Sequence, residues 1–165
     1  MGLDMYLSKR LYLPSYDGNE KEGKKSTREL TVIQHPTVDM SGVSVTSITA
    51  EAMYWRKANA VHKWFVDNVQ KGEDDCKEYY VTLDQLKQLL AMAEMALESA
   101  RNLANGEGDE GDHPSDYLPT QAGFFFGDTE YGEWYIEDME YTVKGLTELI
   151  LNDNGEWNYY YQSSW

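Results

Sequence analysis

The chain has 165 residues, a formal net charge of −15 and a hydrophobic fraction of 41%, which excludes a disordered chain and fits one domain that buries roughly two thirds of its unfolded surface. Its one cysteine, Cys76, excludes an internal disulfide, which is compatible with a reducing cytosol. No stretch approaches the roughly 20 apolar residues that span a bilayer, and Met1 to Pro14 lacks the apolar run of a signal peptide.

Gly2 to Leu13 reads as a strand with Leu3, Met5 and Leu7 on one face and Tyr6 opposite. Residues 14–29 are polar and read as an exposed loop. Leu30 to Gln34 suggests a second strand ended by Pro36, and Val43 with Val45, extending to Ser47, a third. A helix is expected from about Thr49 to Val69. Thr49 caps it, Glu51 sits in its first turn, and Tyr54, Ala58, Val61, Phe65 and Val69 form its core stripe. Tyr79 to Val81 is a short strand. Thr82 and Gln85 have capping-box spacing and open a second helix, ending near Leu103 to Gly106, with Leu83, Leu86, Leu90, Ala93 and Leu97 inward.

Residues 106–117 are expected to form a second exposed loop. Phe124 to Phe126, between two glycines, reads as a short strand or a buried loop. Helical spacing returns from about Thr129 to Asn152, weakened by Gly132 and Gly145 into a kink or two pieces. Trp157, Tyr159 and Tyr161 alternate with polar neighbours in a terminal strand, which could pair inside the sheet or across a dimer. The expected fold is α+β: a single domain with a small, largely antiparallel sheet and about three helices.

The charge is split along the chain. Residues 1–71 carry ten Lys/Arg against eight Asp/Glu, whereas residues 107–153 carry thirteen acids and only Lys144. Such a field repels nucleic-acid phosphates and attracts basic partners. Against it, Trp55, Arg56, Asn59, His62 and Lys63 fall within the expected first helix. Arg and Lys there could hold a phosphate while a Trp stacks on a base. The plainer reading is that these cations pair with the protein's own carboxylates. Phe125, Asp128, Tyr131, Trp134 and Tyr135 form an aromatic group rimmed by acids, which reads as core or as a partner surface.

No catalytic motif stands out. His35, His62 and His113 lack metal-ligand spacing, and the acids near His113 lack the fixed steps of a calcium loop. No metal and no cofactor is expected.

Several blocks carry a resemblance: Met1-Gly2-Leu3-Asp4-Met5-Tyr6-Leu7, Tyr54 to Asn59 with His62 to Phe65, Leu118 to Thr120 with Gly123 to Gly127, and Tyr160 to Trp165. On these the chain resembles a family of small uncharacterised phage and prophage accessory proteins. The resemblance implies a cytoplasmic protein of the bacterial host cell and an anti-defence role. The expectation is a non-enzymatic protein that neutralises a host factor, by sequestering a small anionic or nucleotide ligand or by blocking a host protein. The alternatives are an acidic DNA-mimic inhibitor of a nucleic-acid-binding protein, and a small nucleotide-processing enzyme using His62. Direct nucleic-acid binding and membrane association are not expected, and a homodimer stays open.

Overall fold

The computed structural model describes residues 2–13, 45–108 and 111–165. The expected strand at Leu30 to Gln34, Val43 of the third, and the loop at 14–29 lie outside these residues; of that third strand, Val45 lies outside any strand and Ser47 opens the second observed one. Among the described residues the chain runs β1 (Asp4–Tyr12), β2 (Ser47–Arg56), α1 (Asn59–Asn68), β3 (Tyr79–Val81), α2 (Leu83–Asn105), a 3-10 turn (Pro114–Asp116), α3 (Glu133–Leu151) and β4 (Asn158–Ser164). The four strands form one antiparallel sheet in the order β2-β1-β4-β3. The fold is α+β, as composition and spacing suggest.

Alternation decides which face of the sheet is covered. Met5, Leu7, Met53, Trp55, Val81, Tyr159 and Tyr161 are buried on one face. Tyr6, Tyr12 and Tyr80 are exposed on the other. Phe65 of α1 stacks on Tyr161 with ring centroids 3.8 Å apart and planes 7° off parallel. The indole Nε1 of Trp55 donates to Thr142 Oγ1 of α3 at 2.9 Å, and α2 packs along α3. Each large apolar side chain so buried contributes about 1.5–3 kcal/mol.

The expected helix from Thr49 is corrected. Ser47–Arg56 is a strand, and the helix begins only at Asn59. Pairing with β1 places Met53 opposite Leu7 and Trp55 opposite Met5, so alternate residues reach the core. Lys57 then takes a left-handed conformation (φ 63°) and ends the strand. The later part of the expected stripe is correct: Ala58, Val61, Phe65 and Val69 are all buried.

Thr82 caps α2 in a reciprocal box with Gln85, and Gly106 closes the helix in the left-handed region. Around 106–117 the expected exposed loop is partly tied down. Pro114 is buried, and Ser99 Oγ donates to the Asp112 carbonyl at 3.2 Å. Gly145 does not break α3, which is continuous. At Gly123 to Gly127 the chain makes a turn rather than a strand: Phe126 is buried, whereas Phe124 is 96% exposed. The terminal strand β4 lies between β1 and β3. It pairs with β1 along its whole length and with β3 at Tyr159, Tyr160 and Tyr161, so its pairing inside the sheet is the one observed.

Candidate functional site

The site grows from the break between β2 and α1. The Lys57 N–H donates to the Leu3 carbonyl at 2.8 Å, and the Leu3 N–H donates to the Phe125 carbonyl at 3.0 Å. These bonds hold the loop after Leu118 against the end of the sheet. Asn59, buried in the first turn of α1, completes the attachment. Its Nδ2 donates to the carbonyls of Phe126 (3.0 Å) and Asp128 (2.7 Å), and its Oδ1 accepts from the Gln121 N–H (3.0 Å). Gly127 takes φ 86° where a Cβ would lie 3.1 Å from that of Lys57, so glycine suits both the backbone and the close approach. From the other side, Thr120 Oγ1 donates to the Thr129 carbonyl at 3.0 Å and Tyr135 Oη to the Leu118 carbonyl at 2.8 Å.

Between these attachments lies a cavity of about 390 Å³, within the size range of small-molecule sites. Arg56 and Lys57 enter it from the strand end, Thr120, Asp128 and Glu130 from the loop, and Trp134, Tyr135 and Asp138 from α3. Arg56 and Lys57 are exposed and make no ion pair among the described residues. Trp134 is 70% exposed. Asp138 is half-buried, and burial, reinforced by Glu137, pushes its carboxyl up to about 7. No described protein donor reaches that carboxyl. Thr142 Oγ1, the nearby hydroxyl on α3, donates instead to the Asp138 main-chain carbonyl at 2.7 Å.

The structure divides the first sequence-derived set. Arg56 and Asn59 line the cavity, though Asn59 spends its amide on the loop. Trp55 is buried against α3. Lys63 pairs with Asp67 one turn along α1 at 2.7 Å, the internal pairing that the plainer reading describes. His62 is wholly buried, with Nδ1 2.8 Å from Tyr161 Oη and Nε2 3.0 Å from Asp74 Oδ2. One ring nitrogen thus faces a carboxylate oxygen and the other shares a hydrogen bond with the Tyr161 hydroxyl, whose acidity burial suppresses. Trp165 Nε1 closes the group onto Asp74 Oδ1 at 3.1 Å. Deleting the His62 imidazole would strand two polar groups, at about 1–3 kcal/mol each. A reactant reaches it only by opening the core.

Of the second set, Asp128, Trp134 and Tyr135 line the cavity, with Tyr135 itself buried. The Tyr131 hydroxyl accepts the Thr120 N–H at 3.1 Å. Phe125 is half-buried and packs on the core. Two sets that looked separate in sequence thus contribute to one cavity. Lys57 belongs to the same cationic stretch of sequence but lies outside both sets, as does Asp138. Asp138 carried a signal: it interrupts an aromatic stripe four residues after Trp134.

A second cavity of about 470 Å³ lies between the sheet and the C-terminal half of α3, lined by Lys9, Lys144 and Trp157 among others. Lys9 Nζ sits 4.9 Å above the Trp157 ring, so both are already partnered. Near the 3-10 turn, His113 Nδ1 lies 2.7 Å from Ser115 Oγ and accepts the Ser115 N–H at 3.2 Å, which makes it a cap. Compared with protein-family models, curated proteins and solved structures, the chain matches none.

Proposed function

We propose that this protein is a non-enzymatic binder that holds a small anionic molecule bearing a flat ring, of the nucleotide class, in the cavity between the end of β2 and α3. One observation carries the reading: two cations without ion-pair partners among the described residues and an exposed indole border the same cavity. A guanidinium and an ammonium supply the charge-assisted hydrogen bonds that phosphate oxygens accept. An indole face supplies stacking worth about 1–3 kcal/mol per base. Together with the resemblance to phage accessory proteins, this reading makes the protein a cytoplasmic sink for a nucleotide, which would neutralise a host defence factor that depends on it.

Isothermal titration with nucleoside monophosphates, alongside native mass spectrometry of protein purified from bacterial lysate, tests the reading. Dissociation constants in the micromolar range are expected. Arg56→Ala with Lys57→Ala, and separately Trp134→Ala, should each weaken binding at least tenfold. Absence of any bound nucleotide in both experiments would sink it.

A second reading has its own support. Glu133, Glu137, Glu140 and Glu148 are exposed along α3, and from residue 107 onward Lys144 is the only Lys or Arg. Such a surface would occupy a basic host protein in place of DNA. Its complex would dissociate steeply as salt rises.

A further inference from the structure

We propose that Asp138 is the specificity-determining group of this cavity, and that the ring it reads is a guanine-type base whose adjacent N–H donors meet its two carboxylate oxygens. The inference rests on the nucleotide reading above and narrows it to one substrate class.

The helix fixes the geometry. Trp134 and Asp138 are four residues apart on α3, so their side chains share a face about 6 Å apart along the axis. Both line the cavity. A ring stacked on the indole therefore turns one edge towards the carboxyl. Among the described residues nothing donates to that carboxyl. The Asn59 amide is spent on the loop, the Tyr135 hydroxyl on Leu118, and Thr142 Oγ1 on the Asp138 carbonyl. A partly buried carboxyl without donors is a costly arrangement that a ligand's donors would relieve.

The donor pattern then selects the base. A carboxylate offers two acceptor oxygens side by side. On its pairing edge guanine presents two neighbouring donors, the ring N1–H and the 2-amino group. Adenine and cytosine each set one amino donor beside an acceptor, and uracil flanks one N–H with two carbonyls. A site built around hydrogen bonds to a ligand's N–H groups rejects analogues that lack them far more strongly than a merely apolar pocket does.

Ionisation supports the same arrangement. Burial, reinforced by Glu137, pushes the Asp138 carboxyl up to about 7. The other titratable or charged groups lining the cavity are Arg56 and Lys57 from the strand end, Asp128 and Glu130 from the loop, and Tyr135 from α3; Glu137 lies next to Asp138 on its helix. Accepting two N–H bonds favours the carboxylate, so a base of this type expels the residual proton on binding.

The test is titration calorimetry at pH 6.5 with GMP, IMP, AMP and UMP, each in MES and in Bis-Tris buffer, which differ in heat of ionisation and carry no phosphate to compete for the site. GMP is expected to bind at least tenfold more tightly than IMP, which lacks only the 2-amino group, and more tightly still than AMP or UMP. GMP binding should release a fraction of a proton, read from the difference in heat between buffers. Asp138→Asn should abolish the preference and cut the proton release to the part that the phosphate supplies for all four nucleotides, with the nucleotide recovered unchanged in mass. The IMP comparison needs no variant, so it stands even if Asp138→Asn misfolds. If all four bind alike and lose affinity alike in Trp134→Ala, the nucleotide reading survives and the role of Asp138 is overturned. If none of the four binds, both fall. A product of altered mass would overturn a purely recognitional role.

Discussion

At the scale of single residues, Asp138 ties stability to recognition. Its native carboxyl is raised from the usual 3.8 to about 7, so between those values the folded state binds more protons than the unfolded one. Stability therefore falls as pH rises across that window, and the full penalty persists above it. A shift of this size corresponds to about 2–4 kcal/mol once relaxation is allowed for. Asp138→Asn keeps the shape and removes the titration. It should be more stable than the parent, with a gap that widens by about 2 kcal/mol between pH 5.5 and 8. Urea unfolding at both pH values, above the isoelectric point near 4.4, measures the gap. A gap that stays constant with pH would mean that the carboxyl is not held near neutrality. His62 is the contrasting residue: its ring joins α1 to β4 and to Asp74, and it keeps its partners satisfied without meeting the cavity.

Among the elements, those governed by local rules were legible in the sequence. The capping box at Thr82 and Gln85 and the left-handed Gly106 bound α2 by contacts a few residues apart. Strand β1 announced itself by alternation. The junction of β2 and α1 was not legible, for two reasons. Ser47–Arg56 is a strand because β1, some forty residues earlier, pairs with it. The break falls on Lys57, a residue type that gives no warning of a positive φ. Because that boundary was hidden, Arg56 and His62 seemed to share a helix. One places its charge at the cavity, and the other is sealed in the core.

Gly145 is another case in which a remote contact overrides a local rule. Its weak helix propensity suggested a kink, but α3 runs straight through it. A Cβ there would meet the Met53 side chain of β2, with Sδ only 2.9 Å away. Because the Met53 thioether is flexible and borders the second cavity, it can give way, so Gly145→Ala should cost no more than about 1 kcal/mol, the overpacking opposing alanine's better propensity. In a Met53→Ala background the same change should become neutral or stabilising. A double-mutant cycle by chemical denaturation reads the coupling. Equal effects in both backgrounds would show that α3 does not approach β2 so closely.

At the scale of the whole molecule, the two functional readings predict opposite responses to salt. The chain carries −15 on a body whose radius of gyration is about 15 Å for this length. At 10 mM salt the screening length is about 30 Å, so an approaching nucleotide feels the whole negative field before it feels Arg56 and Lys57. At 150 mM the length is about 8 Å, and only charges near the cavity act on it. The association rate of GMP, followed by stopped-flow fluorescence, should rise about two- to tenfold over that range, although salt slows association of most anions with a cationic site. A basic protein seated on the carboxylates of α3 is attracted by the same field, so its association should slow at least tenfold over the same range. A GMP rate that falls with salt would mean that the local cations dominate at every distance. The acidic half would then have no part in how ligand reaches the site.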